Sequence, residues 1–204
     1  RGIYFWVAAF LLQNIGIILI QLRGVVPDWS SIVLSNTMII AGMLAGFKGM
    51  CSFLEVKYNQ FHNYLLILGF GVIEIWFGLV SPELSVRTIN TAAAMVILSV
   101  QFIWLIFFRV RGGREKVSSV VGMIFIGYVV VNLARIADFF IGGYNSNDYF
   151  SSDTFEMAVF IAYQVLFIFL AYSLALMYNR WLLYNIATQE EKFAAVTAEV
   201  RELF

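Results

Sequence analysis

The sequence predicts an all-α membrane protein, a polytopic helical bundle of six spans followed by a cytoplasmic coiled-coil helix. The first observation is the composition: 61% of the 204 residues are hydrophobic and only 13% are charged. Soluble domains contain about 45–50% apolar residues, and a domain of this length could not bury such an excess. The second observation is a set of six long apolar runs, and the third is a seven-residue repeat near the C-terminal end.

Six apolar runs are each long enough to cross the hydrocarbon core of a bilayer, which takes about 20 helical residues. The turns between them contain Pro27 and Pro82, the charged stretch 111–114 and the polar loop 142–153. Prolines and clusters of small polar residues mark the ends of helices. We therefore predict a transmembrane bundle over residues 1–178, with spans at about 2–22, 30–50, 62–80, 86–108, 117–141 and 154–178.

The lysines and arginines predict which ends of the spans face the cytoplasm. Ten of them lie in one set of segments, whereas the opposite set contains Arg23 and Arg87, and Arg135 lies inside a span. Cytoplasmic segments of membrane proteins are enriched in Lys and Arg. Both ends of the sequence are therefore predicted to be cytoplasmic. The ten residues are Arg1, Lys48, Lys57, Arg109, Arg111, Arg114, Lys116, Arg180, Lys192 and Arg201.

Residues 179–204 are predicted to form a cytoplasmic signalling helix. From Leu182 onward the seam positions recur at alternating steps of four and three residues, with charged residues on the other faces. This spacing is typical of a coiled coil, and Gln189 within the seam would help to set its register. The alternative is a helix lying on its own membrane domain or on the membrane surface. Surface helices usually carry many basic residues, whereas from Leu182 onward this one has two against four acidic residues. The seam consists of Leu182, Ile186, Gln189, Phe193, Val196, Val200 and Leu203.

Few chemistries are compatible with the residues within the spans. No lysine lies deep in a span, as a retinal Schiff base would require, and the only histidine, His62, lies at a helix end and not in an axial haem pair. No group of Cys, His, Asp and Glu has the spacing of metal ligands. A net charge of zero argues against nucleic acid as a partner. We predict no catalytic residue, no metal and no cofactor in this chain.

A layer of polar residues is predicted inside the spans. Counted at about 1.5 Å per residue, Glu74 and Arg135 lie at a similar depth. A charged side chain near the membrane centre costs roughly 2.5–3.5 kcal/mol, so we expect both to face the bundle and to pair with each other, with Asp138 as a local competitor. The layer either joins helices by hydrogen bonds or binds the polar head of a small ligand from the outer side or the bilayer, and an ion pathway is a third alternative. Its members are Glu74, Arg135, Asn132, Asn36, Asn90 and Asn14.

The most specific motif of the chain lies between its first two spans. It reads Arg23-Gly24-Val25-Val26-Pro27-Asp28-Trp29-Ser30-Ser31-Ile32-Val33-Leu34-Ser35-Asn36. This stretch resembles the R-G-x-x-P-D-W-L-S-I-x-x-x-N motif of bacterial multi-pass membrane sensors that precede histidine kinase or GGDEF diguanylate cyclase domains, with Ser30 in place of the usual Leu. The family's Y-R-G segment corresponds to Phe47-Lys48-Gly49, and its G-x-x-x-W start is similar to Gly2-Ile3-Tyr4-Phe5-Trp6. The run that often leads into its PAS domain or kinase helix is similar to Gln189-Glu190-Glu191-Lys192-Phe193.

The resemblance covers about the first 60 residues, and the remainder agrees with the family in hydropathy. It implies a seven-span sensor of the bacterial inner membrane, whose first span precedes Arg1 and whose effector domain follows Phe204. The complete protein is then expected to be a sensor histidine kinase or, alternatively, a diguanylate cyclase. This chain would be its non-enzymatic sensory input domain and would form a homodimer through 179–204.

The competing hypothesis is a small transporter or channel whose tail only assembles the oligomer. Transporters usually have internal repeats and helices that are broken near the membrane midplane. The sequence contains no visible repeat, and neither of its prolines lies in the middle of a predicted span. The sensor hypothesis is therefore favoured.

Overall fold

The computed structural model describes residues 2–109, 115–142 and 154–203. Helices make up most of these residues, and the described part of the chain contains no β-strand. The six spans predicted from the sequence are confirmed as helices that are long and apolar enough to cross a membrane. The predicted turn 111–114 and all of the predicted loop 142–153 except Gly142 lie outside the described residues. The helices are α1 (Ile3–Gln21), α2 (Ser35–Phe53), α3 (Phe61–Ile75), α4 (Leu84–Trp104), α5 (Glu115–Gly142) and α6 (Thr154–Leu203).

Three of the spans contain a π-helical segment, in which the hydrogen-bonded turn has one residue more than in an α-helix. Trp29–Leu34 precedes α2, Trp76–Val80 follows α3, and Leu105–Arg109 follows α4. Such segments are rare, and they occur frequently at functional sites. The first two contact each other at one end of the bundle, where the turns containing Pro27 and Pro82 reverse the chain. We call this end the proline end.

Helices that follow one another along the chain are neighbours in the bundle. The most extensive contacts are those of α1 with α2, of α4 with α5 and of α5 with α6, and α3 touches both α2 and α4. Aromatic rings fill the centre: Phe102 on α4 stacks on Phe125 of α5 with 3.8 Å between ring centroids, and Phe47 on α2 meets Phe102 edge-on at 5.1 Å. Stacked and edge-to-face rings attract each other beyond the effect of burial. These contacts join α2, α4 and α5 into one core.

α1 and α2 approach each other closely because glycines line their contact. A Cβ atom at Gly42 would lie 2.9 Å from the carbonyl oxygen of Ala9, and one at Gly49 would lie 2.5 Å from the ring of Trp6. Small residues of this kind let helices in membranes pack backbone against backbone. Only Trp6, Ala9 and Gly16 of α1 are buried, and the contact with α2 is the most extensive that α1 makes with the bundle.

α6 is the longest element, and it continues without interruption through the predicted boundary at residue 178. Its 50 residues extend over about 75 Å, although the hydrocarbon core requires about 20 residues. α6 still contacts the bundle at Trp181, whose ring lies 5.9 Å from that of Phe53. Beyond this point the predicted seam residues Leu182, Ile186, Gln189 and Phe193 are exposed. The side chains of Val196, Val200 and Leu203 lie outside the described part of the chain.

Candidate functional site

Glu74 on α3 lies at the centre of a buried polar cluster near the proline end. Its side chain is 0% exposed. Asn36 of α2 donates a hydrogen bond from Nδ2 to Oε2 of Glu74 at 3.1 Å, and Asn90 of α4 donates one from Nδ2 to Oε1 at 3.1 Å. The burial of a charged or polar group costs less free energy when the group is hydrogen-bonded. Each carboxyl oxygen is thus held by an amide from a different helix, and we call these three residues the Glu74 cluster.

The orientation of Asn90 is fixed by a second contact. Its Nδ2 also donates to the backbone oxygen of Phe70 at 3.3 Å, so both acceptors of this amide group lie on α3. Turning the Asn90 amide around would place its oxygen against two other oxygens. Asn36 is different, because its described hydrogen bond goes to Glu74 alone. If Glu74 took up a proton, rotation of the Asn36 amide would supply the acceptor that the new O–H group needs.

Two π segments meet directly beside the Glu74 cluster. Gly78, in the segment that follows α3, packs against Ile32 and Val33, in the segment that precedes α2. A Cβ atom at Gly78 would lie 3.1 Å from a methyl carbon of Ile32 and 3.3 Å from one of Val33. Nearby, the hydroxyl of Ser31 is buried and has no hydrogen-bond partner among the described residues, an arrangement that is unusual in native cores. The segment that leads into Asn36 therefore combines irregular backbone with a buried hydroxyl that lacks a partner.

A second polar pair joins α3 and α4 nearer the other end of the bundle. Gln101 donates from Nε2 to Oδ1 of Asn63 at 2.8 Å, and Asn63 is fully buried. Asn63 lies 11 residues before Glu74 on α3, and Gln101 lies 11 residues after Asn90 on α4. Eleven residues correspond to about three helical turns. The buried apolar side chain of Phe70 occupies the intervening stretch of α3. The two polar groups are therefore separate in the described structure.

Exposed polar groups continue from the second pair. The ring nitrogen Nε2 of His62 lies 3.4 Å from Oε1 of Gln101 and 3.2 Å from the hydroxyl of Tyr58, which lies in the turn before α3. Partial burial raises the pKa of the Tyr58 phenol. The phenol therefore remains protonated and is able to donate to His62.

The predicted pairing of Glu74 with Arg135 is wrong, because Arg135 on α5 pairs with Glu156 on α6. Nε of Arg135 lies 3.1 Å from Oε1 of Glu156, and Nη2 lies 2.6 Å from Oε2. A two-pronged contact of this kind is the strongest geometry for an arginine and a carboxylate. Glu156 lies in the first turn of α6, where a negative charge also interacts favourably with the helix dipole.

The remaining members of the predicted layer are divided between two places. Asn132 is fully buried, and it accepts a hydrogen bond from the hydroxyl of Tyr163 on α6 at 2.6 Å. It therefore belongs with Arg135 to the contact between α5 and α6. Asn14 was expected in the layer, but it is exposed on α1, and its Nδ2 donates to the backbone oxygen of Phe10 at 2.7 Å. Asn14 takes no part in either cluster.

An apolar cavity lies among α1, α2, α4, α5 and α6, apart from the Glu74 cluster. It comprises about 460 Å³ of space that is partly open to the surroundings. Its walls include the methionines Met43, Met50 and Met95 and the indole of Trp6. The indole nitrogen of Trp6 is buried and has no hydrogen-bond partner within the described residues. Neither Glu74 nor Arg135 lines this cavity.

Asn63, Glu156 and Tyr163 take part in these contacts but were not predicted from the sequence. Asn63 and Glu156 lie close to predicted helix ends, where polar residues usually face water and carry no signal of burial. Tyr163 lies within a span, but tyrosines are common in membrane helices. The sequence did contain a signal for Asn63. Asn63 and Glu74 on α3 are separated by 11 residues, as are Asn90 and Gln101 on α4, so each pair lies on one face of its helix.

Comparison with known proteins does not identify this chain. No model of a protein family, no curated protein and no solved structure matches it.

Proposed function

We propose that this chain is the transmembrane sensory input domain of a bacterial receptor in the inner membrane, with the C-terminal end of α6 in the cytoplasm. The observation that carries this proposal is the continuity of α6, one helix from Thr154 to Leu203. Near its start α6 is held to α5 through Glu156, and near its end it displays the heptad seam. A helix of this kind connects the proline end of the bundle to a domain attached beyond the seam.

The input consists of a change in the contacts between α6 and the rest of the bundle. The bidentate pair of Arg135 with Glu156 and the hydrogen bond of Tyr163 to Asn132 fix the start of α6 relative to α5. A stimulus that binds differently to two arrangements of these helices shifts the equilibrium between them. Small rotations or translations of whole helices are an established means of such switching.

The output passes through a dimer of the seam. Leu182, Ile186 and Phe193 are exposed apolar side chains on the part of α6 that extends beyond Trp181. A second copy of the chain would cover them in a parallel coiled coil, and Gln189 would set the register. The rotation of each helix then determines the orientation of the domain attached to it. The resemblance of residues 23–36 to bacterial sensors favours a histidine kinase in that position, with a diguanylate cyclase as the alternative.

The stimulus is a small ligand that reaches the bundle from the outer side or from the bilayer. The Glu74 cluster supports this proposal, because a buried carboxyl group, two amides and two π segments are brought together at the proline end. The alternative role of the cluster is to join α2, α3 and α4 by hydrogen bonds. A variant of the Glu74 cluster that folds normally but no longer signals would indicate a ligand site and not a purely structural contact.

A series of insertions tests the proposed function. One to seven alanines are inserted after Gln189 in a fusion of residues 1–204 to a histidine kinase domain of known activity, and autophosphorylation is measured in membranes. The proposal predicts that kinase activity rises and falls with a period of about seven residues, because each insertion rotates the attached domain. Activity that is independent of insertion length would overturn it. In that case a transporter, tested by ion or solute flux into liposomes, becomes the better explanation.

A further inference from the structure

The predicted seam continues into the membrane part of α6 in the same register. When its alternating steps of three and four are extended towards the start of the helix, they reach eight further positions, all of them exposed. Ile161, Ile168 and Tyr172 in the middle of this set are 59%, 65% and 63% exposed. The full set, which we call the α6 stripe, is Thr154, Ala158, Ile161, Val165, Ile168, Tyr172, Ala175 and Asn179.

The opposite face of α6 packs against the bundle. Val159, Leu170, Leu174 and Met177 are all buried, and none of them belongs to the stripe. α6 therefore has two faces within the membrane region, one covered by its own chain and one left uncovered. The uncovered face is in register with the heptad seam from Thr154 to Phe193.

We infer that the α6 stripe is covered by the α6 stripe of a second copy of this chain, so that one parallel interface runs from the membrane into the cytoplasmic seam. This inference rests on the proposed cytoplasmic dimer and extends it. Two copies inserted in the same orientation have parallel α6 helices, and a two-fold axis along the membrane normal places equivalent residues opposite each other. A single heptad register over the whole helix is what such a pair requires.

The residues of the stripe are suited to a helix partner rather than to lipid alone. Ala158 and Ala175 are small and allow close approach of a second helix. Ile161, Val165 and Ile168 are β-branched and have few side-chain conformations to lose on packing.

Two polar residues of the stripe strengthen this assignment. Asn179 lies in the stripe seven residues before Ile186, and is therefore at the equivalent heptad position. A single asparagine at such a position fixes the register of a parallel dimer, because two side-chain amides hydrogen-bond to each other. Tyr172 lies one heptad before Asn179, and its hydroxyl would face the equivalent hydroxyl in the second copy. In lipid the hydroxyl of Tyr172 would have no such partner.

Disulfide cross-linking in native membranes tests the inference. Cys51 is first replaced by alanine, and single cysteines are then introduced at Ile161, Ile168 and Tyr172. The matched control is Phe160→Cys, which lies one residue from the stripe and is also exposed. Mild oxidation should produce about fivefold more covalent dimer at the three stripe positions than at residue 160, because only facing Cβ atoms come close enough for a disulfide.

The outcomes separate this inference from the proposed function. Equal yields at residues 160, 161 and 168 would show two helices that do not face each other, and would overturn the membrane interface. Cross-links at Ile186→Cys but at none of the stripe positions would also overturn it, and would leave the cytoplasmic dimer intact. A third outcome is cross-linking at the stripe positions together with kinase activity that does not depend on the number of inserted residues. It would support the membrane interface and overturn the sensor proposal.

Discussion

Arg135 on α5 and Glu156 on α6 form a bidentate ion pair, with Nε–Oε1 and Nη2–Oε2 distances of 3.1 and 2.6 Å. The Arg135 side chain is 5% exposed and that of Glu156 is 17% exposed. The pair thus fixes the first turn of the helix that leads out of the bundle. Its importance to the proposed mechanism is that any movement of α6 relative to α5 must change this contact.

Removal of one partner of this pair should destabilise the bundle. We expect Arg135→Leu to lower the free energy of unfolding in detergent by roughly 3 kcal/mol, since it leaves a partly buried carboxylate without its cation. The double variant with Glu156→Gln should lose less than the sum of the two single losses. A thermal-unfolding double-mutant cycle measures the difference. Glu74→Gln is the control, and its effect should add to that of Arg135→Leu; coupling to residue 74 instead of 156 would refute the pairing.

The Glu74 cluster gives a second prediction. Asn36→Ala should lower the free energy of unfolding by about 1–3 kcal/mol, because it removes a hydrogen-bond donor from a buried carboxyl oxygen. Asn14→Ala removes an amide that is exposed and bonded only within its own helix, so it should change the melting temperature little. Thermal unfolding of the two variants in the same detergent measures the contrast. Equal losses would mean that Asn36 does not support Glu74.

Close packing of α1 on α2 gives a third prediction with a matched control. Gly42→Ala should lower the free energy of unfolding by about 1–3 kcal/mol, because its Cβ would collide with the backbone of α1. Gly69→Ala on α3 adds a Cβ atom that has no neighbouring atom within 4 Å. This change should be neutral or should stabilise the helix by up to about 1 kcal/mol. Melting temperatures of the purified variants test this, and a loss at residue 69 as large as at residue 42 would contradict the close approach.

The sequence predicted the number of spans well and, except at the C-terminal end of the sixth span, the limits of their helices, because hydrophobic length is a local property. The burial of Glu74 was also predictable, since the cost of an exposed charge in lipid forces it inward. Partners were not predictable in the same way. Depth along a helix places Glu74 and Arg135 at one level, but it does not say which helices are neighbours, and α6 rather than α3 supplies the partner of Arg135.

Asn14 and the seam show two further limits of the sequence. α1 is apolar around its whole circumference, so nothing in its pattern indicated that Asn14 faces away from the bundle. The heptad seam was visible from Leu182 onward because charged residues separate its positions. Within the membrane all faces are apolar, and the continuation of the same register through Ile168 became visible only when the buried face of α6 was known.

The distribution of basic residues gives a prediction of orientation. A cysteine replacing Pro82, in the exposed turn at the proline end, should react with a membrane-impermeant maleimide added to intact cells or spheroplasts. A cysteine replacing Gln189 should react only after the membrane is opened, because Lys- and Arg-rich ends remain inside. Labelling of residue 189 from outside would reverse the topology, and the proposed output could not then be cytoplasmic.

The proposed transmission of rotation by α6 requires a dimeric seam, and cross-linking detects that seam directly. Single cysteines at Ile186 and Phe193, in a chain lacking Cys51, are compared with one at Glu191, which lies off the seam and is also exposed. We predict high yields of covalent dimer at residues 186 and 193 and a low yield at residue 191, because equivalent seam positions face each other in a parallel coiled coil. Equal yields at all three positions would contradict it.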